Sequence, residues 1–200
     1  MIETAKGPIA IQKLAPGDVV LTSGVGPKKI RWIGSHAIGC AELSAEPKLR
    51  PVRITAGALG HGLPKRDLLV SRQHRMLVRS KVAARMFGNS EVLLSAIRLT
   101  DMPGIYLDGS VESVEYFHLL FDRHEVIFAE GAPTESLFTG PEALKSLGSE
   151  ARNEILSILP EVADLKYAPQ PARFIPPRHR QTRLVERHIR NGKPLVRAAG

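Results

Sequence analysis

The chain reads as an all-β protein, on three observations. Short apolar segments recur up to about residue 131, separated by turn formers such as Pro16-Gly17 and Gly26-Pro27. No run of helical periodicity alternates with them, as a parallel βαβ sheet would require. Between 67 and 78, DLLVSRQHRMLV, the apolar runs Leu68-Leu69-Val70 and Met76-Leu77-Val78 are too short for helices and flank a polar tetrad, Ser71-Arg72-Gln73-His74.

In order, the first strands are expected at IAI (9–11), VVLT (19–22) and IRWI (30–33), with LAPGD (14–18) as a turn between them. PVRIT (51–55) alternates apolar and polar residues, and AGALG (56–60), followed by Gly62 and Pro64, is a loop too glycine-rich for a stable helix. Residues 82–94 suit either helix or strand and contain a turn signal, Gly88-Asn89; Val92, Leu93, Leu94 and Ile97 are expected to be buried. Asp108-Gly109 is expected to turn a hairpin between IYL (105–107) and a strand pair starting at Val114. EVIFA (125–129) closes the β region before Gly131-Ala132-Pro133.

Character changes at Thr139, where Thr139-Gly140-Pro141-Glu142 offers a helix start. Leu144, Leu147, Ala151, Ile155, Leu156 and Leu159 recur at helical spacing, with Gly148 as a weak point and Pro160 as the end. This divides the chain into a β domain over 1–140, a helical extension over 141–165 and a proline-rich basic tail over 166–200, with a short helix at 184–189.

Two hundred residues, 43% of them hydrophobic, can bury one core, which sparse aromatics leave to aliphatic side chains. No run approaches the roughly 18 apolar residues of a membrane span, and the N-terminus lacks the basic start and apolar stretch of a signal peptide. A soluble, cytoplasmic chain without membrane partners is expected. Cys40 is the single cysteine, so no internal disulfide forms. It is expected in a Gly/Ala loop with a structural role. Of the net charge of +8, nearly all resides in the last thirty residues, where eight Arg and Lys face Glu186 alone. Such a tail suits nucleic acid or an acidic partner. Without interleaved aromatics or a binding motif, a solvated extension is the preferred reading.

Chemistry concentrates in two places. Ser71 and His74 sit at opposite ends of the tetrad, a hydroxyl and an imidazole that titrates near neutral pH. The plain reading of such a pair is a polar turn with a surface histidine. A second cluster of the same format, YFHLLFDRH (116–124), weighs against it, because it also sets His118, Asp122 and His124 between apolar strand runs. A metal site built from His74, His118 and His124 lacks cysteine or tight histidine spacing, and no metal or other cofactor is expected.

With these segments in place, the chain resembles a bacterial Hint domain, the fold shared by hedgehog autoprocessing domains and inteins, and is most similar to the alphaproteobacterial Hint subfamily. The resemblance rests on LAPGDVVLT (14–22), IRWIG (30–34), PVRITAGALG (51–60), DLLVSRQHR (67–75) and FHLLFDRHEVIFAEG (117–131). It implies a compact, pseudo-twofold horseshoe with the active site in its central cleft. It also implies autoproteolysis: a cysteine at the domain's first position attacks the preceding carbonyl, the amide becomes a thioester, and a nucleophile releases the upstream segment, which is the family's substrate. Ser71 and His74 fall on the motif that contacts the scissile amide, His124 on the later histidine, and His118 where relatives place a base or proton shuttle. Asp122 is read as structural.

The chain departs from the family pattern at two points. The family's cysteine belongs several residues ahead of Ile2, and the chain begins at Met1, so the chain as it stands is expected to be inactive. APTES (132–136) stands where inteins carry the His-Asn pair of their C-terminal cleavage, so splicing is not expected. The readings open at this point are a self-processing domain, a non-catalytic Hint-fold binding or structural module, and a basic-tailed nucleic-acid-binding protein.

Overall fold

The computed structural model describes residues 1–24, 26–140, 144, 148–164 and 167–197. Thirteen strands are found among them, and the fold is all-β with helices at its margins. Strands β1 (Ile2–Thr4), β2 (Gly7–Ile9), β3 (Val19–Val20) and β4 (Lys28–Lys29) come from the punctuated N-terminal stretch. The long β5 (Trp32–Ile38) is followed by α1 (Cys40–Ala45), β6 (Val52–Ile54), β7 (Leu68–Val70) and β8 (Arg75–Arg79). Then come α2 (Lys81–Phe87), β9 (Glu91–Ser95), β10 (Ile105–Leu107), β11 (Val114–Leu120), β12 (Val126–Ala129) and β13 (Ala132–Glu135). Helices α3 (Ser149–Ile158) and α4 (Arg178–Arg190) complete the order. None of the described helices is long and apolar enough to cross a membrane.

One sheet runs β4-β3-β1-β12-β13-β8-β9, with β2 paired to β1. The first strand is therefore interior and meets β12, Ile2 opposite Ala129. β10, β6 and β7 form a second sheet, and β11 lies along the whole of β5, from Val114↔Ile38 to Leu120↔Trp32. The two apolar runs around the tetrad are strands, as expected, because Val70, Met76, Leu77 and Val78 each bury a side chain.

Several expectations are corrected. Asp108-Gly109 does not turn a hairpin: β10 pairs with β6 and β11 with β5. Asp108 is instead a buried acceptor, taking Ser110 Oγ–H at 2.6 Å and Arg53 Nε–H at 2.6 Å, which together hold its carboxyl down to about 2. The ambiguous 82–94 stretch holds both elements. Ser80 caps α2 by accepting the Ala83 N–H, and Gly88, at φ +74°, ends it before β9. Cys40 opens α1 rather than lying in a loop, and it is exposed.

The β region also runs one strand further than expected. Glu130 (φ +50°) and Gly131 (φ +75°) make a two-residue turn between β12 and β13. A glutamate in that backbone conformation is held by ion pairs with Arg66 and the N-terminal ammonium. Pro133 masks β13 in the sequence, since proline is unusual inside a sheet.

The helix start expected at Thr139-Gly140-Pro141-Glu142 extends onto residues outside those described, as does Leu147. Further along, α3 packs Ile155 with Leu159 and Val162 against Trp32, Leu120 and Leu137. The basic C-terminal segment is not a solvated extension. Its helix spans Arg178–Arg190, and Leu184, Val185, Leu195 and Val196 are fully buried in the largest core, beside Met76, Val78 and Leu94. Apolar residues at 184, 185, 195 and 196 are outweighed in the sequence by the surrounding charges, which take the outer face.

Candidate active site

The loop between β7 and β8 is fixed by backbone bonds. His74 N–H donates to the Ser71 carbonyl at 3.1 Å, closing a turn, while Ala96 N–H donates to the His74 carbonyl at 2.8 Å and Ile97 N–H to that of Arg72 at 3.0 Å. The His74 ring is thus placed by the start of β8, and its Nε2 meets the Thr134 hydroxyl of β13. Thr134 Oγ also donates to the Arg75 carbonyl at 3.1 Å, which can only accept. A hydroxyl has one proton to give. With it on that carbonyl, His74 carries its own proton on Nε2 and keeps a lone pair on Nδ1.

Beside Thr134 lies Glu135, 7% exposed. Its carboxylate accepts Arg75 N–H at 2.8 Å and Arg75 Nη1–H at 2.9 Å. His124 Nε2 approaches the same carboxylate at 3.4 Å, outside good hydrogen-bond geometry but close enough for attraction. Burial alone raises the Glu135 pKa; His124, His74 and Arg75 together outweigh it, and the net direction is downward. The group is a buried carboxylate, not a carboxylic acid.

Both cleft imidazoles move the other way. Burial, chiefly, lowers the His74 pKa, with Arg75 and His124 adding to the effect and Glu135 opposing it. His118, on β11 opposite Gly34, falls to about 4, first through burial and then through the neighbouring His74 and His36. At neutral pH both rings are neutral, able to take up a proton rather than already holding one.

Ser71, His74 and His118 line one cleft of about 730 Å³, together with Met1, Thr134 and Glu135. His124 does not line it. It lies behind Glu135, its side chain 2% exposed, packed on Phe138 with ring centroids 4.9 Å apart. Asp122 is outside too, paired on the surface with Arg31 at 2.5 Å. Cys40 is likewise absent from the lining. Among the described residues no group of three or more His, Cys, Asp or Glu could hold a metal ion.

Thr134, Glu135 and Arg75 are functional groups that the sequence does not single out. A signal exists in TES (134–136), three polar residues ending an apolar run, but it coincides with the place where inteins carry His-Asn. Arg75 is adjacent to His74 and reads as a surface charge.

These features define a β scaffold whose interior first strand opens onto a cleft of neutral imidazoles backed by a buried carboxylate. Residues 1–141 match the Hint domain family, and the chain belongs to it. Among solved structures it is similar to the MchDnaB-1 intein, with 11% identity and a TM-score of 0.40 over 66% of this chain and 93% of the intein. The N145AA form of that intein gives 11% identity and a TM-score of 0.42 over 68% and 95%. No curated protein matches the chain.

Proposed function

We propose that this Hint domain cleaves the peptide bond at its own N-terminal junction, through an acyl shift onto a thiol contributed by polypeptide ahead of Ile2. The observation that carries the reading is the placement of Met1 in the same cleft as the neutral His74 and His118. In this scheme the thiol attacks the carbonyl carbon of the residue before it and the C–N bond breaks, leaving a thioester and a free amine. Nδ1 of His74, with its lone pair, accepts the thiol proton and returns it to the leaving nitrogen. Ser71 hydrogen-bonds the scissile amide, and His118 is the second proton acceptor. Glu135 favours the transient imidazolium on His74, and His124 orients Glu135. A second nucleophile then opens the thioester and frees the upstream segment.

Fusing a reporter through a short segment carrying a cysteine several residues ahead of Ile2 tests this. Added thiol should release the reporter, and His74→Ala should slow release by about a hundredfold or more while the protein stays folded. The 200-residue chain itself should not cleave, because Cys40 is outside the cleft. No release from the fusion would leave the domain a non-catalytic binding or structural module.

A further inference from the structure

The family match ends at residue 141, yet the C-terminal segment reaches the site. Ala172 N–H donates to Nδ1 of the buried His124 at 3.1 Å. A backbone amide can only donate there, so Nδ1 holds a lone pair and the His124 proton stays on Nε2, the nitrogen facing Glu135. Without that donor, the proton is free to move to Nδ1, and Nε2 would then turn a lone pair toward the carboxylate.

The donor is anchored by the residues that follow it. Arg173 binds Glu91 through Nε, the carbonyl of Ser23 through Nη2, and its neighbour's carbonyl at Ala172 through Nη1, at 2.7 Å. Glu91 is shared with Arg79 at 2.6 Å. Phe174 bridges to Val92, its carbonyl taking the Leu93 N–H at 2.9 Å. Further on, α4 is held by the Ser95 N–H bond to Gln181 at 3.2 Å and the contact of Ser80 with His188 at 3.0 Å.

We infer that residues 167–176 form a strap that completes the site, the Ala172 amide acting as a positioning group that fixes the His124 tautomer so that its N–H faces Glu135. The site is incomplete in a chain that lacks the strap. The link from His124 to cleavage rests on the proposed function above; the link from strap to tautomer does not.

The test is the ¹⁵N spectrum of the His124 ring in the full chain, read beside junction cleavage in the reporter fusion. Wild type should show one neutral tautomer with the proton on Nε2. Ala172→Pro removes the amide and should give the Nδ1–H form or a mixture, while Ala172→Gly keeps the amide and should retain the wild-type spectrum. Cleavage should fall about tenfold in Ala172→Pro and not in Ala172→Gly. Should Ala172→Pro not fold, Arg173→Ala loosens the strap with the amide in place. It should speed deuterium exchange at Ala172 and blur the tautomer signal. An unchanged His124 spectrum in a folded Ala172→Pro, or in Arg173→Ala, overturns the inference. A switched tautomer with undiminished cleavage overturns the strap's part in the reaction. If wild type cleaves nothing, the functional reading fails alone, and the spectra still decide the strap.

Discussion

At the scale of single residues, the cleft histidines and Glu135 all lie below their ordinary pKa values. His118 shows the consequence for stability. Its pKa is about 4 in the folded protein against an ordinary 6.5, so as pH falls the unfolded chain takes up the proton first. Stability is therefore lost from about pH 6.5 down toward 4, amounting to about 2 kcal/mol between pH 7 and 5. His74, also lowered, acts in the same direction. Asp108 and Glu130 lie near 2, so their contributions disappear only in more acidic solution. Urea denaturation at pH 7 and pH 5 should show this loss in wild type, and His118→Gln should flatten it. An equal slope in the variant would mean that His118 takes up its proton alike in the folded and the unfolded chain.

At the scale of elements, polar caps join the family-matched body to the C-terminal helix. Ser80 Oγ accepts the Ala83 N–H at 3.0 Å and lies 3.0 Å from His188 Nε2, while His188 Nδ1 meets the Lys193 carbonyl at 3.0 Å. Nδ1 must donate to that carbonyl, so Nε2 accepts the serine proton, and one hydroxyl serves both helices. Ser80→Ala should cost about 2 kcal/mol, from the lost cap and a buried imidazole nitrogen left without its donor. A urea midpoint within error of wild type would refute that. Legibility in the sequence obeys the same logic. The strands at 68–70 and 75–79 are readable because apolar runs of that length have few other homes; His74 and His118 stand out because imidazoles between such runs are uncommon, whereas nothing in the sequence shows that His124 lies outside the cleft. β13 is hidden by Pro133, whose effect is offset by the tight turn at Glu130-Gly131. α4 is legible only as the short helix at 184–189; its full length and burial are hidden because charges outnumber its buried Gln181, Leu184, Val185 and His188. The Glu135 cluster is unreadable for another reason: its partners Arg75 and His124 are 60 and 11 positions away and meet only through sheet pairing.

At the scale of the whole molecule, the segment beyond the family match belongs to the core. Leu184, Val185, Leu195 and Val196 are almost completely buried, worth about 2 kcal/mol each, or about 8 kcal/mol together. That is comparable with the whole stability of an ordinary domain, about 5–15 kcal/mol. A chain cut to residues 1–141 should therefore lose cooperative unfolding and bind hydrophobic dye at pH 7. A sharp calorimetric transition from the truncated chain would show that the β body is self-sufficient.

The interior position of β1 also sets a clock. Ile2 is made well before its partner Ala129, which lies 127 positions later. Until that distance has been synthesised, β1 has only its near neighbours β2 and β3, and the cleft lacks Glu135 beside His74. The long loop between these contacts must close before the cleft is assembled. Any polypeptide ahead of residue 1 therefore emerges from the ribosome before the cleft is assembled. On the proposed function, cysteine-bearing fusion chains arrested before residue 126 leaves the ribosome should keep their junction intact when thiol is added, whereas released full-length fusions should not.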